Sequence, residues 1–135
     1  MKKAYLFIVI AAIFTSCQQS NGPQSMKVIN LAAKSSDWIE TIDSNGLNRY
    51  YSCHFSMPEI TSFVYNNGTV VSYYEFTSAQ LVLPYVQHNQ DTSGHLWTRT
   101  IDYDYSVGGI NVRVTNSDFA VDPPGAMSFR VVLMW

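Results

Sequence analysis

Asp102 and Asp104 stand two residues apart in the stretch HLWTRTIDYDY, with Tyr103 between them and Tyr105 just beyond. If this stretch is extended, both carboxylates leave one face about 6.5–7 Å apart, the rise over two strand residues. Two carboxylates at that separation suit acid–base cleavage of a glycosidic bond, or oxygen ligation of calcium. Acids on the solvent side of an alternating strand account for the same spacing. Residue order alone shows neither the cleft nor the shifted acidity that hydrolysis requires.

Other residues with reactive side chains are sparse. His88 and His95 flank the polar segment NQDTSG, with Asp91 between them. Zinc-ligating histidines normally come at tight spacing or beside cysteine, so this pair is read as a loop feature, with no metal and no cofactor expected. No G-x-S-x-G elbow and no phosphate-cradling glycine motif occurs, and Gly108-Gly109 reads as a hairpin turn. Asn67-Gly68-Thr69 fits a glycosylation sequon but also a turn or helix end. Cys53 alternates in phase with Tyr51, Phe55 and Met57, which predicts a buried thiol; its neighbour His54 points to the opposite face. Aromatic residues offer more. Tyr50-Tyr51 and Tyr73-Tyr74 each send one ring to either side of a strand, and Trp97, Tyr103 and Tyr105 form a stripe. Such rings belong either to the core or to a surface on which a sugar ring or a protein partner can lie.

Strands must position all of these side chains. In HLWTRTIDYDY, His95, Trp97, Arg99, Ile101, Tyr103 and Tyr105 take one face, and Leu96, Thr98, Thr100, Asp102 and Asp104 the other. SVGG turns the chain into INVRVTN, whose Ile110, Val112 and Val114 face together. After the Pro-Pro-Gly break at 123–125, MSFRVVLMW keeps Met127, Phe129, Val131, Leu133 and Trp135 in register. Upstream, MKVINLAA, SDWIETI and YYSCHFSM read as extended, with a turn signal at Asp43–Gly46. TVVSYYEF and LVLPYVQ complete the set, Pro84 marking an edge strand or a bulge. One short helix is expected from Pro58 to about Asn66: Ile60, Phe63 and Val64 have helical spacing, Pro58 suits a first helical position and Gly68 a stop. Two strands joined at Asn67-Gly68 are the alternative. The pattern predicts an all-β protein, a mainly antiparallel β-sandwich of about seven short strands with one short helix near 58–66. A partly open barrel ranks second. The apolar final strand also resembles that of an outer-membrane barrel, but most strands are shorter than the roughly 10 residues such a barrel needs.

The chain opens MKKAYLFIVIAAIFTSC: two lysines, an apolar run from Ala4 to Phe14, then small polar residues before Cys17. That order is a secretory signal, and about 11 apolar residues are too few to span a bilayer as a helix. Thr15, Ser16 and Cys17 resemble the lipobox of bacterial lipoproteins, although Phe14 stands where leucine is usual. The resemblance implies cleavage between Ser16 and Cys17 and acyl chains on Cys17. Two or three such chains hold firmly to a membrane, at ~0.8 kcal/mol per buried methylene. A general signal peptide cut nearby is the alternative. Lipid on Cys17 would leave Cys53 with no disulfide partner inside the chain.

Residues 1–16 are therefore expected to be a signal peptide, 17–25 a flexible tether and 26–135 a single domain. Removing 16 of 135 residues leaves 119, and losing Lys2 and Lys3 leaves six basic residues against ten acidic ones, a net charge of −4. Without a basic cluster there is no electrostatic footprint for nucleic acid. The pieces DW, MPEIT, WTRTIDYDY and FRVVLMW are similar to small lipoproteins of the Bacteroidota with no assigned activity, a resemblance spanning nearly all of the mature chain. It implies a lipid-anchored cell-envelope location, at the outer membrane. QQSNG after Cys17 lacks the acids of a surface-export signal, which favours the periplasmic face. The expected function is non-catalytic: binding a glycan or another envelope protein, or a structural role. A small glycan-active hydrolase using Asp102 and Asp104 is the rival.

Overall fold

The computed structural model describes residues 25–135; the expected signal, Ser16, the lipid-attachment residue Cys17 and the tether up to residue 24 lie outside the described residues. Period-two runs of β-branched and aromatic residues build nine strands here. They are β1 (Met26–Ala33), β2 (Ile39–Ile42), β3 (Arg49–Met57), β4 (Thr69–Phe76), β5 (Ala79–Val82), β6 (Tyr85–Gln90), β7 (Leu96–Ser106), β8 (Gly108–Asn116) and β9 (Met127–Met134). They form a four-stranded sheet, β1–β9–β4–β5, and a five-stranded sheet, β2–β3–β8–β7–β6, antiparallel throughout. The protein is all-β, a sandwich of two antiparallel sheets, as its alternation predicts. Ser25 already belongs to the fold rather than to the tether, exchanging both backbone hydrogen bonds with Trp135 at 2.7 and 2.9 Å.

Two expectations are corrected. LVLPYVQ is two strands rather than one, β5 in one sheet and β6 in the other, which brings the count to nine. Pro84 has no N–H to give to a ladder, and the chain changes sheets beside it. The helix, α1 (Ser62–Asn67), begins four residues later than Pro58. Pro58 and Glu59 lie in a turn closed by the Ile60 N–H on the Met57 C=O, 3.0 Å. Thr61 is the cap, its hydroxyl accepting the Val64 N–H at 3.2 Å. Of the helical trio, Ile60 and Val64 are buried but Phe63 is 60 % exposed. Gly68 does end the helix, donating its N–H to the Val64 C=O. A Cβ there would sit 2.7 Å from the Met134 C=O, so close backbone approach requires glycine.

Facing residues of the two sheets fill the interior. Phe129 on β9 is fully buried and meets Trp38, Phe55 and Tyr74 at ring separations of 6.4, 6.3 and 5.9 Å. Val112 and Val114 of β8, Ile101 of β7 and Cys53 of β3 surround it. Toward the α1 end, Met57, Ile60, Val64, Val70, Ile110, Val131 and Leu133 make a second cluster, and Tyr103 packs against both. Each such aliphatic or aromatic side chain contributes ~1.5–3 kcal/mol by leaving water. β9, the apolar C-terminal strand, is hydrophobic because it lies between β1 and β4.

Candidate functional site

The crossover at Leu83 and Pro84 leaves two strand edges bare. β5 accompanies β4 only over Tyr73–Phe76, so no described strand lies beside Thr69–Ser72 on that side. β6 accompanies β7 only as far as Ile101, so no described strand lies beside Asp102–Ser106. At this gap is a cleft of about 630 Å³, lined by Tyr65, Leu83, Pro84, Tyr103, Asp104 and Tyr105. Its volume falls in the range of small-ligand sites. Tyr103 and Tyr105 stack with ring centroids 6.4 Å apart and planes 22° apart. Tyr65 meets Tyr105 edge-on at 5.8 Å, so α1 brings a third ring to the end of β7. Tyr65 keeps 47 % of its surface exposed, while Tyr103 and Tyr105 are half-buried.

The two edges differ in their backbone bonding. On β4, the Tyr103 hydroxyl donates to the Val70 C=O at 2.8 Å, and the Leu83 N–H donates to the Ser72 C=O at 3.0 Å. Burial pushes the Tyr103 phenol above the ordinary tyrosine range, so it remains a donor at neutral pH. On β7, Thr98 turns both backbone groups toward the β8 side: its C=O accepts the Ser117 N–H and its N–H donates to the Ser117 hydroxyl, both at 2.9 Å. Strand alternation therefore turns the N–H and C=O of Tyr103 and Tyr105 the other way, to the bare edge. No described residue pairs with them there.

Asp102 and Asp104 do not form a free catalytic pair. Arg113 spans them, its Nε donating to Asp102 at 2.8 Å and its Nη1 lying 3.0 Å from Asp104. Asn111 donates to the second Asp104 oxygen at 2.7 Å, and His54 Nδ1 lies 2.8 Å from the Asn111 side-chain oxygen. Hydrogen bonding to Asp102 pushes the pKa of Arg113 above the ordinary guanidinium value, against burial, keeping it charged. A glycosidase pair needs open space between its carboxyl groups for a sugar; here a guanidinium bridges them. Arg113 and Asn111 escaped the spacing argument, yet the hairpin places both. The turn that pairs Ser106 with Gly109 sets Asp104 against Asn111 and Asp102 against Arg113. Only Asp104 reaches the cleft, at its rim.

The histidines serve the other end of β7. His95 Nδ1 meets Asp91 at 2.9 Å, and Asp91 also accepts the N–H groups of Ser93 and His95, tying the β6–β7 loop. His88 borders a smaller depression of about 270 Å³ with Trp97. Arg99 covers the Trp97 ring at 5.5 Å, which splits Trp97 from the tyrosines of its stripe. Among the described residues no three His, Cys, Asp or Glu side chains converge as a metal cluster. Cys53 is buried in the core, as its alternation predicts, and desolvation pushes its thiol up, with a smaller contribution from Asp37. No family model, curated protein or solved structure matches the chain.

Proposed function

We propose that this chain is a non-catalytic binding module of a bacterial cell envelope, held at the membrane by lipid on Cys17, with its ligand site in the cleft beside β7. The observation that carries the binding reading is the convergence of Tyr65, Tyr103 and Tyr105 on one open cleft. Three aromatic walls offer a large apolar contact at low conformational cost, with hydroxyls and bare backbone groups to orient a glycan or a segment of an envelope protein. The anchor rests on the order of charge, apolar run and small residues ahead of Cys17. A hydrolytic role gains nothing from Asp102 and Asp104, both engaged by Arg113.

The binding test is an NMR titration of tyrosine-labelled protein with chitotetraose and with short synthetic peptides. Saturable shifts of the Tyr65, Tyr103 and Tyr105 ring signals by one ligand class, without turnover, are expected. Failure of both classes to shift them would remove the cleft as the site. Product formation lost in Asp102→Asn would instead favour the hydrolase. For the anchor, the intact mass of membrane-extracted protein should match a chain starting at Cys17 with added acyl groups, absent in Cys17→Ala.

A further inference from the structure

We infer that the cleft takes an extended peptide segment, which adds as a strand to the bare edge of β7 at Tyr103–Tyr105 and presents a basic residue opposite Asp104. The inference rests on reading the cleft as a binding site and names the chemistry of its ligand. Tyr103 and Tyr105 each offer one N–H and one C=O, two residues apart along the strand, a repeat of about 6.8 Å. An extended peptide has donors and acceptors at that same repeat, and strand addition at an open edge is a recurring mode of peptide recognition. A sugar hydroxyl can meet one such group but lacks the repeat.

The uncovered edge of β4 has fewer free acceptors. The Val70 and Ser72 carbonyls of β4 already accept bonds from Tyr103 and Leu83. The devices that blunt an exposed edge are a short strand, charged side chains, a proline, a bulge, a charge pointing inward or a covering element; here the free stretch is short and its charges are held by Arg113. Asp102–Ser106 contains no proline, and its two acids sit on the outer face of the sheet with Arg113. Ahead of Tyr85 the chain runs with the other sheet, the Leu83 N–H bonding to Ser72 of β4 instead of extending β6 along β7, which sets one end of the free edge.

Side-chain demands follow from strand alternation. Residues of the added segment that face inward meet Tyr65, Tyr103 and Tyr105 and should be apolar. The residue opposite Asp104 points outward beside the Asp102–Arg113–Asp104 network. Two carboxylates there share one guanidinium, leaving one negative charge in excess, so a lysine or arginine is the complementary partner.

The test is a titration of the full ¹⁵N-labelled chain with a synthetic heptapeptide in which lysines alternate with valine and isoleucine. A second peptide of the same sequence carries N-methyl groups on the amides facing β7, and chitotetraose is the third probe. The expected result is a saturable shift of the Tyr103 and Tyr105 amides by the first peptide, with slowed exchange, and loss of both effects with the methylated peptide. Asp104→Asn should weaken the first peptide by about two- to fivefold, the scale of an exposed ion pair. Ring shifts with chitotetraose and none with either peptide would overturn strand addition and leave the cleft as a binding site. Equal binding of both peptides would overturn it too, since recognition would then reside in side chains. Silence with all three probes would overturn both the inference and the reading beneath it.

Discussion

The two strand edges beside the cleft began with the same deficit and meet it differently. Both lost their neighbours when the chain crossed sheets at Leu83 and Pro84. β4 is sealed from within, because Tyr103 reaches across from the other sheet to the Val70 C=O and Leu83 folds its N–H onto the Ser72 C=O. β7 receives no such help at Tyr103 and Tyr105 from any described residue. Tyr103 thus does two opposite things: its side chain closes one edge while its own backbone leaves the other open. An unpaired peptide group is costly only when it is also dry, so the open edge is sustainable beside an accessible cleft. The buried Val70 has no such option.

The sharpest break in this contrast is Tyr103→Phe, which keeps the ring and removes the seal. Val70 is 4 % exposed, and leaving its carbonyl unpaired should cost about 1–3 kcal/mol in urea unfolding. Unchanged stability would mean that the seal contributes nothing. Alkaline pH attacks the same bond. The Tyr103 and Tyr74 phenols and the Cys53 thiol are all raised by burial in the folded chain. Their contribution is fully present below the unfolded values, about 10 for tyrosine and 8.5 for cysteine, and is lost as pH rises through the folded ones. Melting temperature should therefore fall above about pH 8.5, and less steeply in Tyr103→Phe. On the open side, Tyr65→Ala removes an exposed ring and its edge-on contact with Tyr105. A stability loss of only about 0.5–1.5 kcal/mol is expected, together with weaker ligand binding; full retention of binding would take Tyr65 out of the site. Smallest is Ser72→Ala. The Ser72 hydroxyl is buried with no partner among the described residues, so its removal should leave stability within about 0.5 kcal/mol of wild type or raise it, whereas a clear loss would reveal a hidden bond.

Much of the sandwich was legible because a period of two is a direct record of which side is wet. Val112 and Val114 of β8, and Phe129, Val131 and Leu133 of β9, are all fully buried on the face their alternation assigns. Local signals competed at the helix, where the proline at 58 looked like a start but Thr61 had the hydroxyl to cap. The cleft was only half legible. Its Tyr103 and Tyr105 stood out as a stripe, but Tyr65 and Leu83 reach it through a change of sheet that no local pattern records. The surroundings of the acids were hidden for a related reason. Spacing along β7 defines the distance between Asp102 and Asp104, whereas their chemistry is decided across the hairpin by Arg113.

Amide hydrogen exchange of the unliganded protein, resolved by residue, tests the contrast of the two edges most directly. Ile101 faces β6 across the last ladder pair with Tyr85, and the Leu83 N–H is bonded to Ser72; both amides should exchange slowly. The Tyr103 and Tyr105 amides, one and two strand repeats further along the same edge, should exchange far faster under the same conditions. Protection of Tyr103 and Tyr105 equal to that of Ile101 would contradict the account, because it would mean that the edge of β7 is already closed.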